Sequence, residues 1–183
     1  MDMKCCRGIG ETGALRVIPI SMLLSLLVLT ASAQRTDWRS RIDRMVQKAD
    51  SLSLKSQKIF YLNKFLNKDK PVKETWYYTL QDGKILIFEV KYVADSIEYS
   101  EIYYLNNGRL ICMEEYEVPY LSVYTDQVKK GAAMFFDNEN LREYVVTGAR
   151  QNTSKSDRGY ESLKRFDQRF EELKKTIQYD PRQ

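Results

Sequence analysis

Six glutamates are the main candidates for chemistry in this chain, because its 183 residues include no histidine. That absence excludes Ser-His-Asp and Cys-His nucleophile arrangements and His-bearing zinc sites. Two carboxylates ~5–10 Å apart across a cleft could still act as a glycosidase pair. A solvated or salt-bridged sheet face explains them more simply. The six are Glu89, Glu98, Glu101, Glu114, Glu115 and Glu117.

Tyrosines are the second notable group, and seven of them share the predicted strands with the glutamates. They are Tyr77, Tyr78, Tyr92, Tyr99, Tyr103, Tyr104 and Tyr116. Strand propensity and cross-strand packing account for them, and the alternative is a recognition surface on the outer sheet face. From both groups we nominate Tyr77, Glu89, Tyr104 and Glu114 as binding residues. No catalytic residue, cofactor or metal site is predicted, since no P-loop, G-x-G-x-x-G, C-x-x-C or calcium-loop pattern occurs.

A doubled phrase in residues 76–118 positions these side chains. Each copy has an aromatic pair, a turn ending in glycine, a basic residue and an aliphatic run, with Gly83 and Gly108 in register. A two-residue turn at Asp82 and Gly83 mixes polar and apolar side chains on both faces. A three-residue turn with the glycine in the left-handed region segregates them, so we prefer it. Its core face holds Trp76, Tyr78, Leu80, Leu86, Phe88, Val90, Tyr103, Leu105, Ile111 and Met113.

The other face also carries apolar residues, so either helices cover both sides of the sheet or one side meets a partner. Apolar spacing predicts a helix over 37–53, and a second short helix over 59–66 for which a strand is the alternative. A weaker third hairpin ends near residue 147, its turn without glycine. The expected fold is α+β: a helical arm 36–67, an antiparallel meander of five to six strands over 74–147, a linker 148–157 and a C-terminal helix 158–178.

Charge is unevenly distributed along the chain. Residues 34–73 hold 11 basic and 4 acidic side chains, whereas residues 74–118 hold 3 basic and 9 acidic ones. The simplest account is a basic helical arm lying against an acidic sheet. A nucleic-acid site would need its basic residues clustered on one exposed face, and here they are spread around the predicted helix, so no nucleic-acid partner is expected.

Residues 17–33 have the pattern of a secretory signal. The segment is apolar and uncharged, follows Arg16, and ends in Ala31-Ser32-Ala33. We expect residues 1–33 to be a cleaved signal peptide and 34–183 a single mature domain. The alternatives are an uncleaved membrane anchor, which would be the only membrane contact, and a buried core helix. A true start near Leu15 would shorten the signal and leave the mature start at Gln34 unchanged. Of three cysteines only Cys112 would remain, as a buried apolar residue in a strand.

The phrase Tyr-Tyr-x-Asn-Asn-Gly-Arg-Leu-Ile in residues 103–111, with a looser copy in residues 77–87, resembles the hairpin phrase of small exported bacterial proteins of unknown function. It is also loosely similar to MORN-type hairpin repeats, from which it departs in its glycines and its spacing. The resemblance implies a meander of hairpins in the envelope of a Gram-negative bacterium, periplasmic or secreted, and implies no catalytic residues.

Together these patterns predict an exported, non-enzymatic binding or structural protein. Its partner would be a protein, a peptide or an envelope component, recognised through the aromatic sheet face. The alternatives are a carboxylate-dependent glycan hydrolase and an inhibitor of a secreted enzyme. An enzyme should bring two glutamates together in a concave pocket, whereas a binding module should show a shallow aromatic surface.

Overall fold

The computed structural model describes the backbone of residues 20–67, 70–120, 130–148 and 155–178, and the side chains of 37–64, 71–120, 130–148 and 156–178. The chain divides into two compact units, Met1–Arg39 and Ser40–Gln183. The sheet and the C-terminal helix belong to the second unit. The elements in chain order are α1 (Ile20–Ser56), β1 (Lys58–Asn67), β2 (Lys70–Gln81), β3 (Lys84–Ala94), β4 (Ile97–Asn106), β5 (Arg109–Pro119), β6 (Lys130–Asp137), β7 (Asn140–Gly148) and α2 (Lys155–Thr176).

The sheet is an antiparallel meander, with strands in the order β1 to β7. The α+β class and the meander are confirmed, but the sheet has seven strands where five to six were predicted. The extra strand is β1, so the predicted second helix over 59–66 is wrong. The single N-terminal helix α1 begins earlier than predicted, at Ile20, and is continuous through residues 33 and 34. Cleavage there stays a prediction.

The turns of the doubled phrase also differ from prediction. Gln81 pairs with Lys84, leaving Asp82 and Gly83 as a two-residue turn in which both φ angles are positive (51° and 73°). Such a turn suits the twist of a hairpin. The strand then bulges at Leu86, because Leu80 pairs with Ile85 and Thr79 with Ile87. The three-residue turn is therefore wrong, and Ile85 takes the core position predicted for Leu86.

The same two-residue turn with a following bulge recurs in the other two hairpins that turn at this end of the sheet. Asn107 and Gly108 form a two-residue turn followed by a bulge at Ile111, so Leu110 takes the predicted core place of Ile111. In the third hairpin Asn138 and Glu139 adopt positive φ, and the bulge falls at Arg142. The hairpin that lacks glycine thus keeps the geometry of the other two.

Helix α2 packs on one face of the sheet, called here the α2 face. Its Phe166 and Phe170 stack on Phe88, and Phe166 also contacts Tyr103. The buried residues of this core are Trp76, Ile85, Phe88, Val90, Tyr103, Leu105, Leu110, Met113, Met134, Phe136, Phe166 and Leu173. Each Å² of apolar surface buried in this core contributes ~25 cal/mol, and its stacked rings add to that.

The opposite face, called here the α1 face, is covered in part by α1. Ile42 and Ala49 of α1 are buried, and so are Ile87 and Tyr104 of the sheet. The hydroxyl of Tyr104 donates a hydrogen bond to Asp50 Oδ1 at 3.0 Å. A helix, and not a partner, therefore covers Tyr104 on this second apolar face. No helix in the described part of the chain is long and apolar enough to cross a membrane.

Candidate functional site

Three glutamates lie on the α2 face beside the aromatic core. Glu74 stands two residues before Trp76 on β2, and Glu101 stands two residues before Tyr103 on β4. Since side chains alternate along a strand, each glutamate must share the face of its buried neighbour. Glu115 of β5 is the cross-strand partner of Glu101. These three carboxylates therefore lie in a row on the α2 face, next to the apolar core.

Helix α2 supplies the matching cations. Arg169 donates from Nη1 to Glu74 Oε1 at 2.7 Å and from Nε to Glu101 Oε2 at 3.1 Å. Arg165 Nη1 is bonded to Glu115 and lies 3.7 Å from Glu101 Oε1. The predicted basic arm is thus not the main partner of the acidic sheet, because these arginines come from the C-terminal helix. From residues 34–73, Lys64 on β1 adds an ion pair to Glu74.

The deepest carboxylates are also held by neutral donors. Trp76 Nε1 donates to Glu74 Oε2 at 3.0 Å, and Tyr103 Oη donates to Glu101 Oε2 at 2.9 Å. Glu74 is 0% exposed. Buried charges are tolerated only when paired and hydrogen-bonded, and both oxygens of Glu74 are satisfied here. The network is fixed before any ligand arrives.

The charges alter the pKa values of the groups around them. Burial by itself would lower the pKa of Arg169, but Glu101 and Glu74 outweigh it and the pKa is raised. In the same way Glu115 and Glu101 raise the pKa of Arg165 against the effect of its burial. Burial, with a smaller contribution from the charge of Glu101, raises the pKa of Tyr92 to about 12. Both guanidinium groups stay charged at all physiological pH values.

Above these pairs a cleft of about 510 Å³ opens between the sheet and α2. We call it the charged cleft. In its lining the half-buried rings of Tyr92 and Tyr99 stack at 5.1 Å and 14°. Its walls carry five acidic and five basic side chains, so its formal charge is zero. The lining residues are Lys64, Glu74, Tyr92, Tyr99, Ser100, Glu101, Glu115, Tyr116, Glu117, Lys130, Arg158, Arg165, Gln168, Arg169 and Glu172.

The nominated binding residues lie on the α1 face, and none of them lines this cleft. Tyr77 and Glu89 are cross-strand neighbours and half-buried. Lys91 stands over the Tyr77 ring at 5.6 Å and also pairs with Glu89, which accepts a hydrogen bond from Ser100. These two residues form part of an accessible surface.

The other two nominated residues lie deeper on that face. Tyr104 is buried against α1; its burial, then Glu114 and Asp50, raise the pKa of its hydroxyl. Glu114 is half-buried and accepts a hydrogen bond from Tyr116 at 2.8 Å. The structure therefore brings Tyr77 and Glu89 together and separates Tyr104 from solvent.

No residue that lines the charged cleft was nominated as a binding residue, although Glu101, Glu115 and Glu117 were among the six candidate glutamates. Two signals in the sequence point to the cleft. Glu74 and Glu101 each stand two positions from an aromatic residue in a strand, which predicts a shared face. Arg158, Arg165 and Arg169 are spaced by 7 and 4, which places them along one side of a helix. Within the described residues, no group of three or more acidic or cysteine side chains could hold a metal ion.

Comparison with known proteins adds nothing to this geometry. No protein-family model, no curated protein and no solved structure matches the chain significantly.

Proposed function

We propose that this protein is an exported, non-enzymatic binding protein that holds a neutral polyhydroxylated ligand, a saccharide, in the charged cleft. The observation that carries the proposal is a preformed cleft whose lining has balanced, paired charges and a stacked tyrosine pair. Its volume of about 510 Å³ lies within the range of small-ligand sites, ~300–1,000 Å³.

The pairing of charges favours a neutral ligand. An ionic ligand would have to displace a partner from a bond such as Lys130 to Glu117, at 2.8 Å. A hydroxyl group both donates and accepts, so it can bridge a carboxylate and a guanidinium without breaking their contact. The half-exposed rings of Tyr92 and Tyr99 offer apolar area next to these polar groups, which suits the C–H face of a sugar ring.

A glycan hydrolase is the second candidate, because Glu101 and Glu115 are cross-strand partners that both contact Arg165 Nη1. This proximity is what a two-carboxylate mechanism needs. Against it, each of the cleft's glutamates is bound to a lysine or arginine: Glu74 and Glu101 to Arg169, Glu115 to Arg165, Glu117 to Lys130 and Glu172 to Lys64. A general acid must instead offer a protonated oxygen to its substrate. We therefore favour binding over hydrolysis.

Export is part of the proposal and is supported by the signal pattern of residues 17–33. In the envelope, saccharides are an abundant class of ligand. N-terminal sequencing of the protein recovered from an envelope fraction should begin at Gln34. A chain recovered only with an intact residue 1–33 segment would contradict cleavage.

The binding test is calorimetric titration of the protein with a panel of neutral oligosaccharides. At least one should bind, and Tyr99→Ala should weaken it about three- to tenfold through the lost ring contact. Tyr160→Ala is the matched control, because Tyr160 lies on α2 outside the cleft and is 70% exposed. If no oligosaccharide binds, or if both variants weaken binding equally, the proposal is wrong. Release of cleaved sugar that stops in Glu115→Gln would establish the hydrolase instead.

A further inference from the structure

Strand β1 is one edge strand of the sheet, and its composition differs from that of the other edge strand, β7. In the described part of the chain its only neighbouring strand is β2. Its ten residues include two lysines and no acidic residue. An edge strand presents unpaired backbone N–H and C=O groups, so it can accept one more strand.

The two faces of β1 are unequal. On the α2 face Phe60 and Leu62 pack against the core. On the α1 face Ile59 and Tyr61 are 49% and 55% exposed. Large apolar side chains exposed in alternation along an edge offer pockets for the alternate side chains of an added strand.

Positive charge lies on both faces of this edge. On the α1 face Lys73 of β2 stands over the Tyr61 ring at 4.2 Å, and on the α2 face Lys58 lies at the start of β1, 6.0 Å from the Tyr78 ring. Both lysine side chains are exposed. A second copy of β1 paired antiparallel would bring like charges together, which disfavours self-association. The complementary occupant is an acidic one.

We propose that β1 is a docking edge for an extended acidic peptide, which adds to the sheet as an eighth strand. Apolar residues of the peptide lie beside Ile59 and Tyr61 on the α1 face, its carboxylates lie on the α2 face and meet Lys58, and Lys73 attracts the peptide from the neighbouring strand. The edge lies outside the saccharide proposal, since it uses none of the side chains that line the charged cleft.

The test uses the whole protein and blocked peptides of about six residues, a common strand length. One peptide alternates valine with glutamate and the other valine with lysine. The acidic peptide should bind, with weaker binding at higher salt, and should shift the backbone amide signals of β1. The basic peptide should not bind.

Charge-reversal variants distinguish binding at the β1 edge from nonspecific attraction between the acidic peptide and the protein. Lys58→Glu with Lys73→Glu should weaken acidic-peptide binding about tenfold. Lys164→Glu with Lys175→Glu changes the net charge equally on exposed positions of α2 and should leave binding unchanged. Equal loss in both variants, binding of either peptide without β1 amide shifts, or concentration-dependent pairing of β1 between protein copies would each overturn the proposal.

Discussion

Removal of Arg169 tests whether the buried ion network holds α2 on the sheet. Arg169→Met keeps the length of the aliphatic stem but deletes the guanidinium that binds Glu74 and Glu101. Glu74 is fully buried, so its charge cannot reach water. Breaking one partner out of a buried pair costs about 3–5 kcal/mol. That is a large part of the ~5–15 kcal/mol that stabilises an ordinary domain.

The assay is urea denaturation followed by circular dichroism. With a slope of ~1–3 kcal/mol per molar urea, the midpoint should fall by about 2 M. Arg142→Met is the matched control, because Arg142 pairs with Asp137 at 3.1 Å but its side chain is 60% exposed. An exposed pair contributes at most about 1 kcal/mol. If both substitutions lower the midpoint equally, burial of the network does not govern its contribution.

A further variant identifies the cause of the loss. Glu74→Gln and Glu101→Gln, added to Arg169→Met, remove the charges that are left with only the longer contacts to Lys64 and Arg165. Each amide oxygen can still accept from Trp76 or Tyr103. About half of the lost free energy of unfolding should return. A triple variant as unstable as Arg169→Met alone would show that lost packing of the arginine stem, and not stranded charge, is responsible.

Two further predictions concern the tyrosines and the repeated turn. Burial raises the pKa of Tyr92 to about 12 and that of Tyr104 further above 10, so the folded state holds phenolic protons that the unfolded state releases. The contribution of these two tyrosines to the free energy of unfolding should be present below pH 10 and lost as pH rises towards the folded pKa values. Tyr92→Phe should reduce the fall of the free energy of unfolding with pH, measured by denaturation at several pH values above 10. An equal fall in the variant and the unchanged protein would refute this. Gly108→Ala should cost about 1 kcal/mol, and Gly108→Asn less, because φ is +79° although no atom lies within 4 Å of an added Cβ. Equal midpoints for the two variants in urea would contradict this.

The core face was largely predictable from sequence, because alternation fixes which residues share a side of a strand. Trp76, Phe88, Tyr103 and Met113 lie on the α2 face as expected. The turn was predicted wrongly because a two-residue turn with a later bulge restores the same alternation as a three-residue turn. Only the residues between turn and bulge tell them apart, and there Ile85 replaces Leu86.

Strand β1 and the ion partners were less predictable, for different physical reasons. Residues 59–62 are all apolar, since Ile59 and Tyr61 are apolar although the structure leaves them exposed. The sequence therefore lacks the alternation with a period of two that marks a strand. The pairing of Glu101 with Arg169 spans 68 residues. Charge counts show that opposite charges exist in the chain, but only the packing of α2 decides which of them meet.

The charged cleft is difficult to explain by stability alone. Replacing a buried ion pair by apolar residues of similar volume is often neutral or stabilising, and the adjoining aromatic layer shows that this interface can be built from apolar groups. The buried members fix the positions of Arg165 and Glu115, which border the open cleft. The triple variant at positions 74, 101 and 169 separates the two roles. Recovered stability with lost saccharide binding would mean that the network exists to arrange the site, whereas recovered stability with unchanged binding would assign it to the fold alone.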